Sequence, residues 1–146
     1  MNRRALTIAV AGGVAALIAI WAAGTSNAQM PGFKRVEVQK HDLSAAGREV
    51  VQVKAEFAPG AAVGMHTHPG EEVSYVLEGA VEIEMAGKPS MTVKAGEPIF
   101  IPAETPHAAK NAAKGPTVVL ATYIVEKGKP LSTPVKPATA AEAPKK

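Results

Sequence analysis

Apolar residues in this chain recur mostly at every second position. "VVQVKAEF" places Val51, Val53, Ala55 and Phe57 on one side, and "VEIEM" places Val81, Ile83 and Met85 opposite Glu82 and Glu84. "MTV" repeats the pattern with Met91 and Val93, expected in the core with Met85. Period two with β-branched residues predicts half-buried strands. "TVVLATYIV", residues 117–125, is almost wholly apolar and predicts a strand covered on both faces. Turn signals punctuate the chain at Pro59-Gly60, Pro69-Gly70, Glu78-Gly79, Gly87-Lys88, Gly96-Glu97-Pro98 and Gly115-Pro116. Short strands at this spacing predict an all-β sandwich or barrel. After residue 29 no segment carries a long amphipathic helical pattern. From Lys129 the proline-, alanine- and lysine-rich "KPLSTPVKPATAAEAPKK" cannot bury enough surface to order itself and predicts a flexible tail over 129–146.

The first 28 residues change the picture of where the domain begins. Arg3 and Arg4 precede an apolar run from Ala5 to Gly24, and Ser26-Asn27-Ala28 supplies the small-x-small pattern of a cleavage site. This predicts an export signal over 1–28 and a periplasmic or secreted protein. An uncleaved N-terminal anchor facing the periplasm is the alternative, because the run approaches the roughly 20 residues that span a bilayer. Gly12, Gly13 and Gly24 favour cleavage, and the context of Arg3-Arg4 fits a twin-arginine signal poorly. The remainder is one domain, 29–128, plus the tail. The net charge of +3 falls to +1 without Arg3 and Arg4, and the charges form no basic stripe, so nucleic-acid binding is unsupported. With no cysteine, the domain relies on packing alone.

Candidate chemistry sits in "GMHTHPGEEVSYVLEG", residues 64–79. If residues 65–68 are extended, His66 and His68 point to one face. Glu72 opens the next strand, and His107 can arrive on a neighbouring one. Three imidazoles and a carboxylate suit one divalent transition metal: zinc, iron, manganese, nickel or copper. A shift of one residue would bring Glu71 in place of Glu72.

These residues resemble the two cupin motifs. Gly60, five residues, His66-x-His68, three residues, Glu72, six residues and Gly79 match the first. Gly96, five residues, Pro102, His107 and Asn111 match the second, with Glu104 where the family usually has a glycine. The resemblance spans about residues 35–127. It implies a small double-stranded jelly-roll barrel, the metal ligands His66, His68, Glu72 and His107, and a homodimer as a frequent assembly. The complete ligand set, with the export signal, points to an exported metal-dependent enzyme acting on a small oxygenated molecule, either a quercetinase-like dioxygenase or a lyase or isomerase. A non-catalytic periplasmic binder of a small ligand or metal is the rival, and a metal that merely braces the barrel is a third reading. Glu104 is the one weak catalytic candidate. Ser74 shares the parity of Glu72 and can line the cavity; Tyr75 is expected to pack on the opposite face, Phe100 and Ile101 to pack one on each face, and His41 to be a surface residue. Asn111 reads as structural, and Glu78, Glu82 and Glu84 as a solvated stripe.

Overall fold

The computed structural model describes residues 30–135. The export signal expected over 1–28 lies outside the described residues, as does the end of the chain from residue 136. Ten strands follow one another: β1 (Phe33–Asp42), β2 (Arg48–Phe57), β3 (Ala62–Thr67), β4 (Gly70–Glu78), β5 (Ala80–Met85), β6 (Met91–Lys94), β7 (Pro98–Ile101), β8 (His107–Asn111), β9 (Thr117–Glu126) and β10 (Thr133–Pro134). They form two antiparallel five-stranded sheets, in the orders β1-β2-β9-β4-β7 and β10-β3-β8-β5-β6. This is the all-β class that the alternating pattern predicts, and the double-stranded barrel that the cupin resemblance implies.

The apolar side of each strand faces the space between the sheets. On β2, Val51, Val53, Ala55 and Phe57 are all buried, while the residues between them are half-exposed. β9 runs between β2 and β4 and alternates buried with half-buried along its length, as an apolar central strand should. Two clusters fill the interior. The larger joins Phe57, Val63, Val76, Val81, Ile83, Met85, Ile99 and Ile101, among others. The smaller joins Val51, Val53, Ala121, Tyr123 and Val125, with Leu131 packed against it.

Met91, expected in the core, is instead exposed on β6 at the rim of its sheet. Ile101 is buried as expected, but Phe100 and Tyr75 stand largely in solvent on the outer face of β7 and β4. The segment after Lys129 is held on the barrel as far as Val135. β10 pairs with β3 (Thr133 with Thr67, Pro134 with His66), and the Val135 amide donates to the Met65 carbonyl. Composition reports how little this segment can bury by itself; it does not report a free edge on β3 that supplies backbone partners.

Asn111 ties one end of the barrel together. Its side-chain amide lies within hydrogen-bonding distance of the carbonyls of Phe57, Ala58 and Gly115, and its oxygen accepts from the Ala113 amide. The Thr117 hydroxyl sits 2.8 Å from the same oxygen. The structural role read for Asn111 is therefore the one it has.

Candidate metal centre

A β-bulge sets the site up. In β3, Val63 pairs with Ala109 and His66 with His107, so one extra residue lies between the two pairs. A bulge reverses the facing of the residues beyond it. Val63 points inward before the bulge, and His66 and His68 point inward after it. His107 opens β8 directly across from His66, and Glu72 lies two residues into β4, beside Tyr123 of β9.

All three imidazoles are buried and tilted against one another, with ring centroids 4.3 to 5.1 Å apart. One nitrogen from each lies within 4.8 Å of the others, a group that can hold a metal ion. Each Nδ1 is committed elsewhere, donating to a backbone carbonyl: His66 to Gly64 at 2.7 Å, His68 to Leu131 at 2.5 Å and His107 to Thr105 at 2.9 Å. Such bonds fix the tautomer and leave Nε2 as a lone pair facing inward. Glu72 completes the cluster. Its Oε1 accepts from the Ser74 hydroxyl at 2.7 Å, while Oε2 lies 3.1 Å from His68 Nε2 and 3.5 Å from His107 Nε2. The buried His68 Nε2 is near Oε2 but finds no hydrogen-bond partner. Acceptor atoms crowded about one point, one of them orphaned, call for a cation between them, and the donor set fits a divalent transition metal.

The electrostatics agree. Burial pushes the Glu72 carboxyl up, but His107 and His68, whenever either carries a proton on Nε2 in place of a cation, and the Ser74 hydroxyl outweigh it and hold the group well below the carboxylate range, so Glu72 is ionised. Burial pulls His66 from 6.5 down to about 4, against the Gly64 carbonyl, which favours the cation. In metal-free protein, the stability that follows from a neutral His66 is complete above pH 6.5 and is lost as pH falls through about 4. Calorimetry of chelator-treated protein should show the melting temperature dropping across that window. His66→Gln should remove part of the drop; an unchanged slope in that variant would refute the assignment.

A narrow cavity of about 40 Å³ adjoins the cluster, lined by His66, Glu72, His107, Tyr123 and Arg35 with apolar residues between them. A water needs roughly 10–15 Å³ of such space, so the room is that of a few waters or a ligand of a handful of heavy atoms. Sequence reasoning missed Tyr123 and Arg35. Tyr123 hid inside an apolar run; its ring packs against His68 at 4.5 Å, and burial and the Glu72 charge push its phenol above the ordinary value, so it remains a donor. Arg35 hid in the charged, edge-lying β1, which shows almost no apolar alternation.

Glu104 does not line the cavity. It is exposed in the turn between β7 and β8, with its amide donating to the His68 carbonyl and its φ at 55°. The left-handed backbone there explains why a glycine suits the position. Glu104→Gly should stabilise the fold by about 1 kcal/mol, the relieved strain less the greater freedom of an unfolded glycine. Urea denaturation reads this directly, and a loss of stability would contradict it. Ser74 is buried and bonds Glu72, and His41 is exposed on β1.

Residues 53–123 match the Cupin domain family. Over 82 residues the chain is 30% identical to germin-like protein 1 of Brassica napus, covering 53% of this chain and 40% of that protein. The chain thus spans well under half the length of that curated relative. Among solved structures it is similar to the polyketide cyclase RemF from Streptomyces resistomycificus, at 23% identity over 76% of each chain with a TM-score of 0.60. It is also similar to the DMSP lyase DddQ from Ruegeria pomeroyi, at 20% identity over 77% of this chain and 55% of that one, TM-score 0.60. KdgF from Halomonas sp. aligns at 24% identity over 67% and 83%, TM-score 0.56. At these identities the structural likenesses establish the fold.

Proposed function

We propose that this barrel, a cupin by its fold and its matching domain, is an exported metal-dependent enzyme of the oxygenase, lyase or isomerase type acting on a small oxygenated molecule. One observation carries the reading: three Nε2 lone pairs and the Glu72 Oε2 meet at one buried point while every other polar atom of those side chains is already bonded. In this reading His66, His68, Glu72 and His107 hold a single divalent ion. Such an ion supplies Lewis acidity to an oxygen that reaches it. The chain's own residues do the rest. Leu131, Gly64 and Thr105 hold the imidazoles in one tautomer, and Ser74 keeps Glu72 turned so that one oxygen faces inward. Tyr123 offers a hydroxyl donor beside the site, and the apolar side chains of Val63, Ile83 and Ile101 line the cavity, which strengthens each polar contact within. Export rests on the N-terminal sequence pattern alone.

A binding role without turnover is the second reading, and one observation favours it. Tyr123 is held protonated and Glu104 lies outside the cavity, so among the described residues no side chain beside the cluster other than its own ligands is poised as a base at neutral pH. Purified protein of known metal content, screened for oxygen uptake and for elimination and isomerisation of small hydroxy and oxo compounds, separates the two. Turnover that disappears on chelation supports the enzyme. Stoichiometric metal with ligand binding and no turnover would leave the binder.

A further inference from the structure

β1 is an edge strand, and its register with β2 places Phe33 opposite Phe57 and Arg35 opposite Ala55. Those β2 residues are buried between the sheets, so their partners on β1 share the concave face. Arg35 accordingly lines the same cavity as His66, Glu72, His107 and Tyr123. Its guanidinium carbon lies 5.8 Å from the centroid of the Phe33 ring, which packs on Phe57 at 4.7 Å, a platform that steadies the head group. Among the described residues no carboxylate pairs with Arg35, whereas its strand neighbours Lys34 and Lys40 pair with Glu56 and Glu49. An inward charge can also serve to blunt a sheet edge. Glu37, the next inward position, would do that as well, and it does not line the cavity.

We propose that Arg35 selects the ligand: the cavity takes a small carboxylate-bearing molecule, its carboxylate held by the guanidinium fork and a second oxygen turned toward the imidazole cluster. The planar fork matches the two carboxylate oxygens, and because Arg35 is exposed where it borders the cavity, the fork is open to an entering ligand. The cavity's size limits the molecule to a few carbons. This selection rests on the metal-centre reading given above, and the test keeps the two apart.

Cobalt-loaded protein, its metal content fixed by elemental analysis, is titrated with lactate and with lactamide, its uncharged counterpart, by calorimetry and by the shift of the cobalt visible bands. Arg35→Gln should weaken lactate about tenfold or more, the loss of a charge-assisted bond, and leave lactamide within about twofold. Arg35→Lys should recover part of the lactate affinity, and Glu37→Gln should change neither ligand. If Arg35→Gln leaves lactate unchanged, or weakens both ligands alike, the selection is wrong while the metal centre stands. A chain that takes up no cobalt would overturn both.

Discussion

Replacing His66 with alanine is expected to empty the metal centre. The purified variant should retain less than about a hundredth of the wild-type metal affinity, since even loss of a partner supporting a ligand costs about 10–100-fold. Three features of this residue make the effect large. Its Nε2 is one of three nitrogens within 4.8 Å of one another; its Nδ1 is fixed by Gly64; and its facing is set by a bulge that no neighbouring residue can reproduce. Glu72→Gln should act in the same direction, because the amide loses the negative charge that the Ser74 hydroxyl and two imidazoles surround. Elemental analysis of both variants, beside wild type purified in parallel, gives the answer. Unchanged metal content in either would remove that residue from the ligand set, and unchanged content in both would end the metal reading.

Gly70→Ala is expected to damage the fold itself. A Cβ at this position would lie 2.0 Å from the Ile124 carbonyl oxygen and 2.7 Å from the Val125 Cα, both backbone atoms that cannot rotate aside. Relief requires β4 and β9 to part at the pair Gly70–Val125, beside the bond from the Glu126 amide to the Pro69 carbonyl. The cost should be about 3 kcal/mol or more, near the upper range for overpacking. In a domain of this size that is a fall in melting temperature of about 15 °C. Because Glu72 lies two residues along the same strand, metal affinity should fall as well. Gly64→Ala, where a Cβ meets nothing within 4 Å, is the control. A melting temperature for Gly70→Ala equal to that of the control would refute the argument.

The two glycines show what sequence carries and what it leaves out. Pro69-Gly70 reads as a turn signal, and a turn does separate β3 from β4. Yet Gly70 has no left-handed φ and is needed for space against a strand more than fifty residues away, which no local pattern announces. The reverse holds at Glu104, where the left-handed backbone is filled by a residue that strains it. The same division runs through the site. Strands with one apolar face, such as β2, and the spacing of His66, His68 and Glu72 are written in the chain because each depends on alternation or on a short interval; His107, 35 residues on, is legible through the second motif around it. The bulge that turns His66 inward, the edge strand that delivers Arg35 and the register that sets Tyr123 beside Glu72 depend on which strands become neighbours. Charged residues on β1 look like surface from the sequence and are exposed; that Arg35 also borders the cavity follows from its pairing with Ala55 of β2, which no local pattern announces.

Leu131 gives the barrel one further property. Its carbonyl accepts the His68 proton and its side chain packs on the second core cluster, while β10 just beyond pairs with the strand that bears His66. Any loosening of His68 is thus felt by the polypeptide leaving β9, and loading the ion tightens that segment in turn. Trypsin cutting after the exposed Lys127 should therefore be slower with metal than after chelation, so that the carboxyl-terminal end of the domain acts as a gauge of whether its centre is filled.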